Sequence, residues 1–251
     1  MPQFANPDLS HQHSLEILNL LYDYDSFLDS LGVIADMGCG SGLDAQWWAT
    51  LETRDDPPEP RNYRVYAVDR NLGQVNDDTK TIPNIVWLNH DFEGSVQLPE
   101  KADLIWAHDS FQYVTNPIGT LASWNRQMND NGMLVMAIPQ SINYIHNRLN
   151  FKTESYIYHN YSISNLVYML AVNGFDCRDA YFYKNAQTNW LYVAVYKAME
   201  PMEPTTTSLY NLIDKNLLHD SIVQSVYDNG FIKNSDILYP WLDKDFYKAA
   251  V

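Results

Sequence analysis

Residues 33–42 read V-I-A-D-M-G-C-G-S-G. An apolar run ends in an acid, Asp36, and then in glycines at alternate positions, Gly38, Gly40 and Gly42. Glycine is needed where the backbone takes positive φ or where a ligand comes into contact with the main chain. The segment that follows, 43–51, is compatible with a helix whose first N–H groups would face an anionic group. Asp36 beside those donors suits a ligand that also carries a cationic group. Acids recur downstream, since 63–69 (Y-R-V-Y-A-V-D) ends on Asp69 and 84–91 (N-I-V-W-L-N-H-D) ends on Asp91. A carboxylate at the tip of a second strand can accept hydrogen bonds from both hydroxyls of a ribose. NAD-binding folds and a simple tight turn use similar glycine spacing, so both readings stand beside this one.

Residues so placed need strands that end together, with helices between them. Apolar runs at 33–37, 63–69, 84–91, 102–108 and 133–138 alternate with helix-compatible segments at 43–52, 72–80 and 116–128. That alternation predicts a parallel sheet with crossover helices. Asn116 is expected to cap the third helix, with Pro117 in its first turn. Residues 129–132 are expected to turn the chain into the fifth strand. Residues 162–171 read as a further crossover helix. Two last runs, 174–184 and 190–197, are joined by only five residues, too few for a parallel crossover, so they must be antiparallel. The fold class is therefore α/β: a doubly wound, seven-stranded, mostly parallel sheet with an antiparallel C-terminal hairpin, an N-terminal helix and a C-terminal helical extension.

Within that order, D-M-G-C-G-S-G at 36–42 resembles the D-x-G-x-G-x-G motif of class I, Rossmann-like S-adenosylmethionine-dependent methyltransferases of the small-molecule type. The closing hairpin resembles theirs too, and an NAD domain usually lacks it. The resemblance implies S-adenosyl-L-methionine as cofactor and S-adenosyl-L-homocysteine as product. It implies a cofactor site made of Asp36, Gly38, Cys39, Gly40, Gly42, Asp69, Arg70, Asp91, Phe92 and His108, with Asp91 at the adenine amino group and Phe92 against the ring. The segment after the fourth strand, D-S-F-Q-Y-V at 109–114, should border the reactive sulfonium. His108 is the best-placed base, with Asp109 and Tyr113 as neighbours, for an acceptor that must lose a proton. The segment lacks the Asn/Asp-Pro-Pro-aromatic pattern of enzymes that methylate nucleic-acid amino groups. Phe111, Tyr113, Tyr144, His146, Tyr156 and His159 are the candidate acceptor contacts, four of them in a Tyr- and His-rich insertion at 140–161 that is a candidate lid.

Composition narrows the partners. A formal charge of −15 disfavours a phosphate-backbone surface, so no nucleic acid is expected. Two cysteines support no disulfide framework and fit a reducing compartment. No run approaches a membrane span and the first residues do not read as a signal peptide, so a soluble, cytoplasmic protein without a membrane partner is expected. His11 and His13 lack further ligands nearby, and no metal site is expected. Trp47 and Trp48 read as packing of the first crossover helix.

Three units follow: an N-terminal helical segment at 1–31, a cofactor-binding domain at 32–198, and an extension at 199–251. The extension has helix-like stretches at 209–218 and 221–229 and is too small for a core of its own. It should pack on the main domain or on a second copy, which would make a homodimer. The remaining readings are a non-catalytic S-adenosylmethionine-binding interaction protein and an NAD-dependent oxidoreductase.

Overall fold

The computed structural model describes residues 25–94, 96–139, 159, 161–184 and 190–239. Seven strands, β1 (Val33–Met37), β2 (Arg64–Asp69), β3 (Ile85–Asn89), β4 (Ala102–His108), β5 (Met128–Pro139), β6 (Phe175–Lys184) and β7 (Trp190–Lys197), form one sheet. Their order is β3-β2-β1-β4-β5-β7-β6. The first five are parallel, and β7 runs antiparallel to both β5 and β6. The strand order reverses between β1 and β4, the topological switch point where doubly wound sheets leave a crevice for ligands.

Near-continuous apolar runs suit strands covered on both faces, and both faces are covered here. On one, α1 (Asp25–Asp29) and α2 (Leu43–Ala49) flank a cluster in which Trp48 meets Trp47 edge-on at 4.9 Å and Trp106 at 5.7 Å. The tryptophan pair is thus packing, as its place in the sequence suggested. On the other face, α4 (Pro117–Arg126) and α5 (Ile163–Val172) cover the sheet. Asn116 caps α4 by accepting from the Gly119 N–H, with Pro117 at the start, and Ser162 caps α5 in a reciprocal box with Asn165.

Several boundaries differ from expectation for local reasons. The helix expected at 72–80 splits into a 3-10 turn, Leu72–Gln74, capped by Asn71, and α3 (Asp77–Lys80), capped by Asn76. Two cap side chains within six residues interrupt one helix. β3 stops at Asn89 rather than on the acid, because Asp91 turns the chain by accepting from the Glu93 N–H. The turn expected at 129–132 lies inside β5, where Asn131 at φ 62° accompanies a register shift against Ala102 and Leu104. Of the N-terminal helix at 11–31, only α1 falls among the described residues.

The extension packs on its own domain. Leu212 of α6 (Leu209–Asp214), Ile222 and Val226 of α7 (Asp220–Asn229), and Leu217, Leu218, Ile237 and Tyr239 are all buried. Leu217 accepts from the Cys177 N–H, and the Tyr239 hydroxyl donates to the Cys177 carbonyl. The expected helix 209–218 ends early because Asn216, at φ 56°, turns Leu217 and Leu218 onto β6.

Candidate functional site

The glycine turn leaves β1 at the switch point. Gly38 takes φ 85°, and a Cβ there would stand 2.4 Å from the Ser110 Cβ. Ser110, from the loop after β4, donates its hydroxyl to the Met37 carbonyl at 2.6 Å, clamping the two loops together. Gly42, at φ 80°, abuts the Trp87 ring. Gly40 differs: at φ 50°, its missing Cβ faces open space. The turn is fixed by its own backbone, with the Gly38 and Cys39 N–H groups donating to the Val68 carbonyl. Cys39 is buried and its thiol is pushed up by that burial, so it is a neutral packing group and contributes backbone to the turn.

Carboxylates surround this turn. Asp69 accepts the Gly40 N–H at 3.0 Å on one oxygen and the Asn71 N–H at 2.8 Å on the other. A carboxylate has about four lone-pair sites, so each oxygen keeps capacity for a ligand hydroxyl. Asp36 is 2% exposed; burial first, then the negative charges of Asp44 and Asp69, hold its carboxyl well above the usual carboxylate range, opposed by a hydrogen bond from the Ala45 N–H. Its Oδ2 and the Ser41 Oγ are buried without a hydrogen-bond partner among the described residues. Buried acceptors left unmade are costly, and these two belong to residues on either side of Gly38 and Gly40 in the glycine turn.

On the far side of the crevice, Phe92 lies beside Gly38 and packs on Trp124 with ring centroids 6.3 Å apart. Asp91 is exposed beside it, and Arg70 is exposed after Asp69. The structure therefore gathers Asp36, the three glycines, Cys39, Asp69 and Phe92 at one turn, with Asp91 and Arg70 at the surface.

His108 ends β4 on the face that carries α2. Its Nδ1 stands 3.4 Å from Asp44 Oδ2, an ion-pair separation, and both side chains are nearly buried. The same Asp44 oxygen accepts the Trp106 indole N–H at 2.9 Å. The His108 ring stacks on Trp190 at 5.8 Å. Asp109 follows at φ 50°, with its N–H bound to the Ala137 carbonyl and its carboxylate accepting from the Gln112 amide. Tyr113 is partly buried, its phenol pushed up by burial and then by Asp109.

Phe111 corrects the sequence reading. It is fully buried, stacked on Tyr161 at 5.2 Å and tilted against Trp124 at 5.7 Å, because the 3-10 turn Phe111–Tyr113 points the ring into the core. It is a core residue rather than an acceptor contact. His159 reaches the Thr115 carbonyl at 3.3 Å. Tyr144, His146 and Tyr156 lie outside the described residues.

Asp44 and Trp190 make contacts with His108 that sequence reasoning missed. An acid in the first turn of a helix reads as dipole compensation, and only the packing of α2 on β4 brings it to His108. Trp190 reads as the start of a strand; the antiparallel direction of β7 sets it opposite Pro139, at the carboxyl edge.

Residues 35–136 match a family model described as a methyltransferase domain. No curated protein matches the chain by sequence. Among solved structures, the N-methyltransferase NodS from Bradyrhizobium japonicum in complex with S-adenosyl-L-homocysteine is similar with a TM-score of 0.54 at 15% identity, over 78% of this chain and 90% of that one. Magnesium protoporphyrin IX methyltransferase from Synechocystis PCC 6803 with bound S-adenosylmethionine gives 0.53 at 14% identity, over 76% and 81%. At such identities the likeness establishes the Rossmann-like fold of these enzymes. Family model and fold together support the class I methyltransferase resemblance carried by residues 36–42.

Proposed function

We propose that this protein is an S-adenosylmethionine-dependent methyltransferase that transfers a methyl group to a small-molecule acceptor by in-line displacement, leaving S-adenosyl-L-homocysteine. One observation carries the proposal: at the switch point, Gly38 and Gly40 of the turn are bracketed in the chain by Asp36 and Ser41, whose Oδ2 and Oγ are buried without a hydrogen-bond partner among the described residues, and Asp69 is bonded to the same turn. Those groups fit the cofactor's chemistry. Asp36 is a carboxylate for its cationic methionine end, Asp69 an acceptor for its ribose hydroxyls, and Phe92 an apolar wall for its base, with Asp91 at the rim.

The bound cofactor supplies a methyl group on a positively charged sulfur, already activated. The protein's part is to orient the acceptor and keep water out. His108, Asp109 and Tyr113 border the acceptor side. The charge of −15 supports a small acceptor over a polyanion. Two free, buried thiols, Cys39 and Cys177, support a reducing, cytoplasmic setting. Among the described residues no helix is long and apolar enough to cross a membrane.

Isothermal titration of S-adenosyl-L-homocysteine into the wild type and Asp69→Ala tests the reading. Each charge-assisted hydrogen bond lost is worth about 1.5–3 kcal/mol, so the variant should bind roughly 10- to 100-fold more weakly. Wild-type protein that binds NADH and not the homocysteine product would overturn the proposal, and equal affinities would remove Asp69 from the ribose role.

A further inference from the structure

The acceptor side of the crevice has a chemistry of its own. β7 runs antiparallel to β5, so its first residue, Trp190, is carried to the edge where β4 and β5 end, and its indole stacks on His108 at 5.8 Å and 29°. Side chains alternate along a strand, so Tyr192 shares that face. Tyr192 pairs with Tyr183 of β6, with rings 5.8 Å apart and 27° from parallel, and Tyr183 stacks on Tyr181 at 6.2 Å and 20°. Imidazole and indole thus form one stacked pair and the three phenol rings a second group, and the two follow one another along β7 as an aromatic run. Tyr192 is buried at 1%, whereas Trp190, Tyr183 and Tyr181 are only partly buried.

Flat rings prefer flat ligands. An aromatic pair contributes about 0.5–1.5 kcal/mol beyond the area it buries. At the inner end of the run stands an imidazole paired with a carboxylate, His108 with Asp44, and Asp44 is itself fixed by the Trp106 indole N–H. A carboxylate that orients an imidazole and stabilises its protonated form is the arrangement a general base needs. A neutral amine attacks without losing a proton first; a hydroxyl does not.

Resting on the function proposed above, we infer that the acceptor is a planar aromatic alcohol, its ring stacked on Trp190 and its hydroxyl presented to His108, with Asp44 as the residue that positions the imidazole. The balance closes. The acceptor O–H bond breaks and its proton passes to the imidazole, the oxygen forms a bond to the methyl carbon, and the sulfur–methyl bond breaks with its electron pair kept by sulfur. The positive charge moves from sulfonium to imidazolium, which then yields the proton to water.

The test uses the full chain saturated with S-adenosyl-L-homocysteine and titrated with 2-naphthol and with decahydro-2-naphthol, which has the same skeleton without the π face. The wild type should bind 2-naphthol roughly two- to twelvefold more tightly. Trp190→Phe should keep that preference and Trp190→Leu should lose it, with the affinity for S-adenosyl-L-homocysteine reporting that each variant is folded. In turnover of 2-naphthol with S-adenosylmethionine, Asp44→Asn should lower kcat on the order of 10- to 100-fold at unchanged KM, with partial recovery in Asp44→Glu. Equal binding of the two alcohols, an undiminished preference in Trp190→Leu, or a fall in Asp44→Asn confined to KM would overturn the inference. Wild-type protein that fails to bind S-adenosyl-L-homocysteine would instead bring down the methyltransferase reading beneath it.

Discussion

Two glycines of one motif should fail in opposite ways. Gly38→Ala must hold an L-residue at φ 85°, at a cost of about 1–2 kcal/mol. It must also open a 2.4 Å approach to the Ser110 Cβ, a clash with the clamp between the β1 and β4 loops. Overpacking of this kind costs about 1–3 kcal/mol, so the total is about 2–5 kcal/mol. For a chain of this length each kcal/mol lowers Tm by roughly 2–4 °C, which puts the expected drop at roughly 4–20 °C. Gly40→Ala meets no atom of the described residues within 4 Å and takes φ 50°, so only the backbone cost applies, roughly 2–8 °C. On the function proposed above, however, its added methyl group would stand in space assigned to the cofactor. Differential scanning fluorimetry and titration with S-adenosyl-L-homocysteine, run on both variants, separate the two effects. Gly38→Ala should show the larger thermal loss, and Gly40→Ala at least a tenfold loss of affinity with most of its stability intact. Wild-type affinity in Gly40→Ala would refute the assignment of the crevice to the cofactor, and a wild-type Tm in Gly38→Ala would refute the clamp.

Asp36 makes stability depend on pH in an unusual direction. Its folded-state pKa is raised, so between the ordinary carboxylate value near 4 and that raised value the folded state binds more protons than the unfolded one, and stability falls as pH rises. Asp36→Asn should flatten this limb of a Tm-against-pH curve and raise Tm at neutral pH, while weakening cofactor binding; an unchanged curve would count against the buried charge. Tyr239→Phe removes the hydroxyl bond to the Cys177 carbonyl. That should lower stability by about 1 kcal/mol, or roughly 2–4 °C, without altering affinity for S-adenosyl-L-homocysteine, as the same two assays would show.

The glycine turn and the acid that bonds to it were legible in the sequence because their geometry is local. Gly38, Gly40 and Gly42 adopt positive φ within a single turn, and Asp69 ends a strand that can be recognised from its apolar run. The cap residue at 116 told where a helix begins for the same reason. The surroundings of His108 depend on elements far apart in the chain. Asp44 gains its meaning from His108, 64 positions on, and Trp190 from a strand direction that only sheet closure fixes. Phe111 was misread because an aromatic residue in a loop after a strand looks available, whereas a 3-10 turn rotates it between Trp124 and Tyr161. The split of 72–80 follows the same lesson in reverse, since weak helical periodicity lost to two asparagine caps.

The attachment of the extension to Cys177 bears on how the molecule behaves at high concentration. β6 is the last strand of the sheet, and an outermost strand offers unpaired N–H and carbonyl groups to any other chain. Here both backbone groups of Cys177 are taken, by Leu217 and by Tyr239, near the start of a strand whose register against β7 also shifts between Asp176 and Tyr181. A chain cut before Leu209 would lose this cover as well as its share of the core. Its expected fate is edge-to-edge association into aggregates, visible as growth in light scattering while the fold of the remaining sheet is still largely intact.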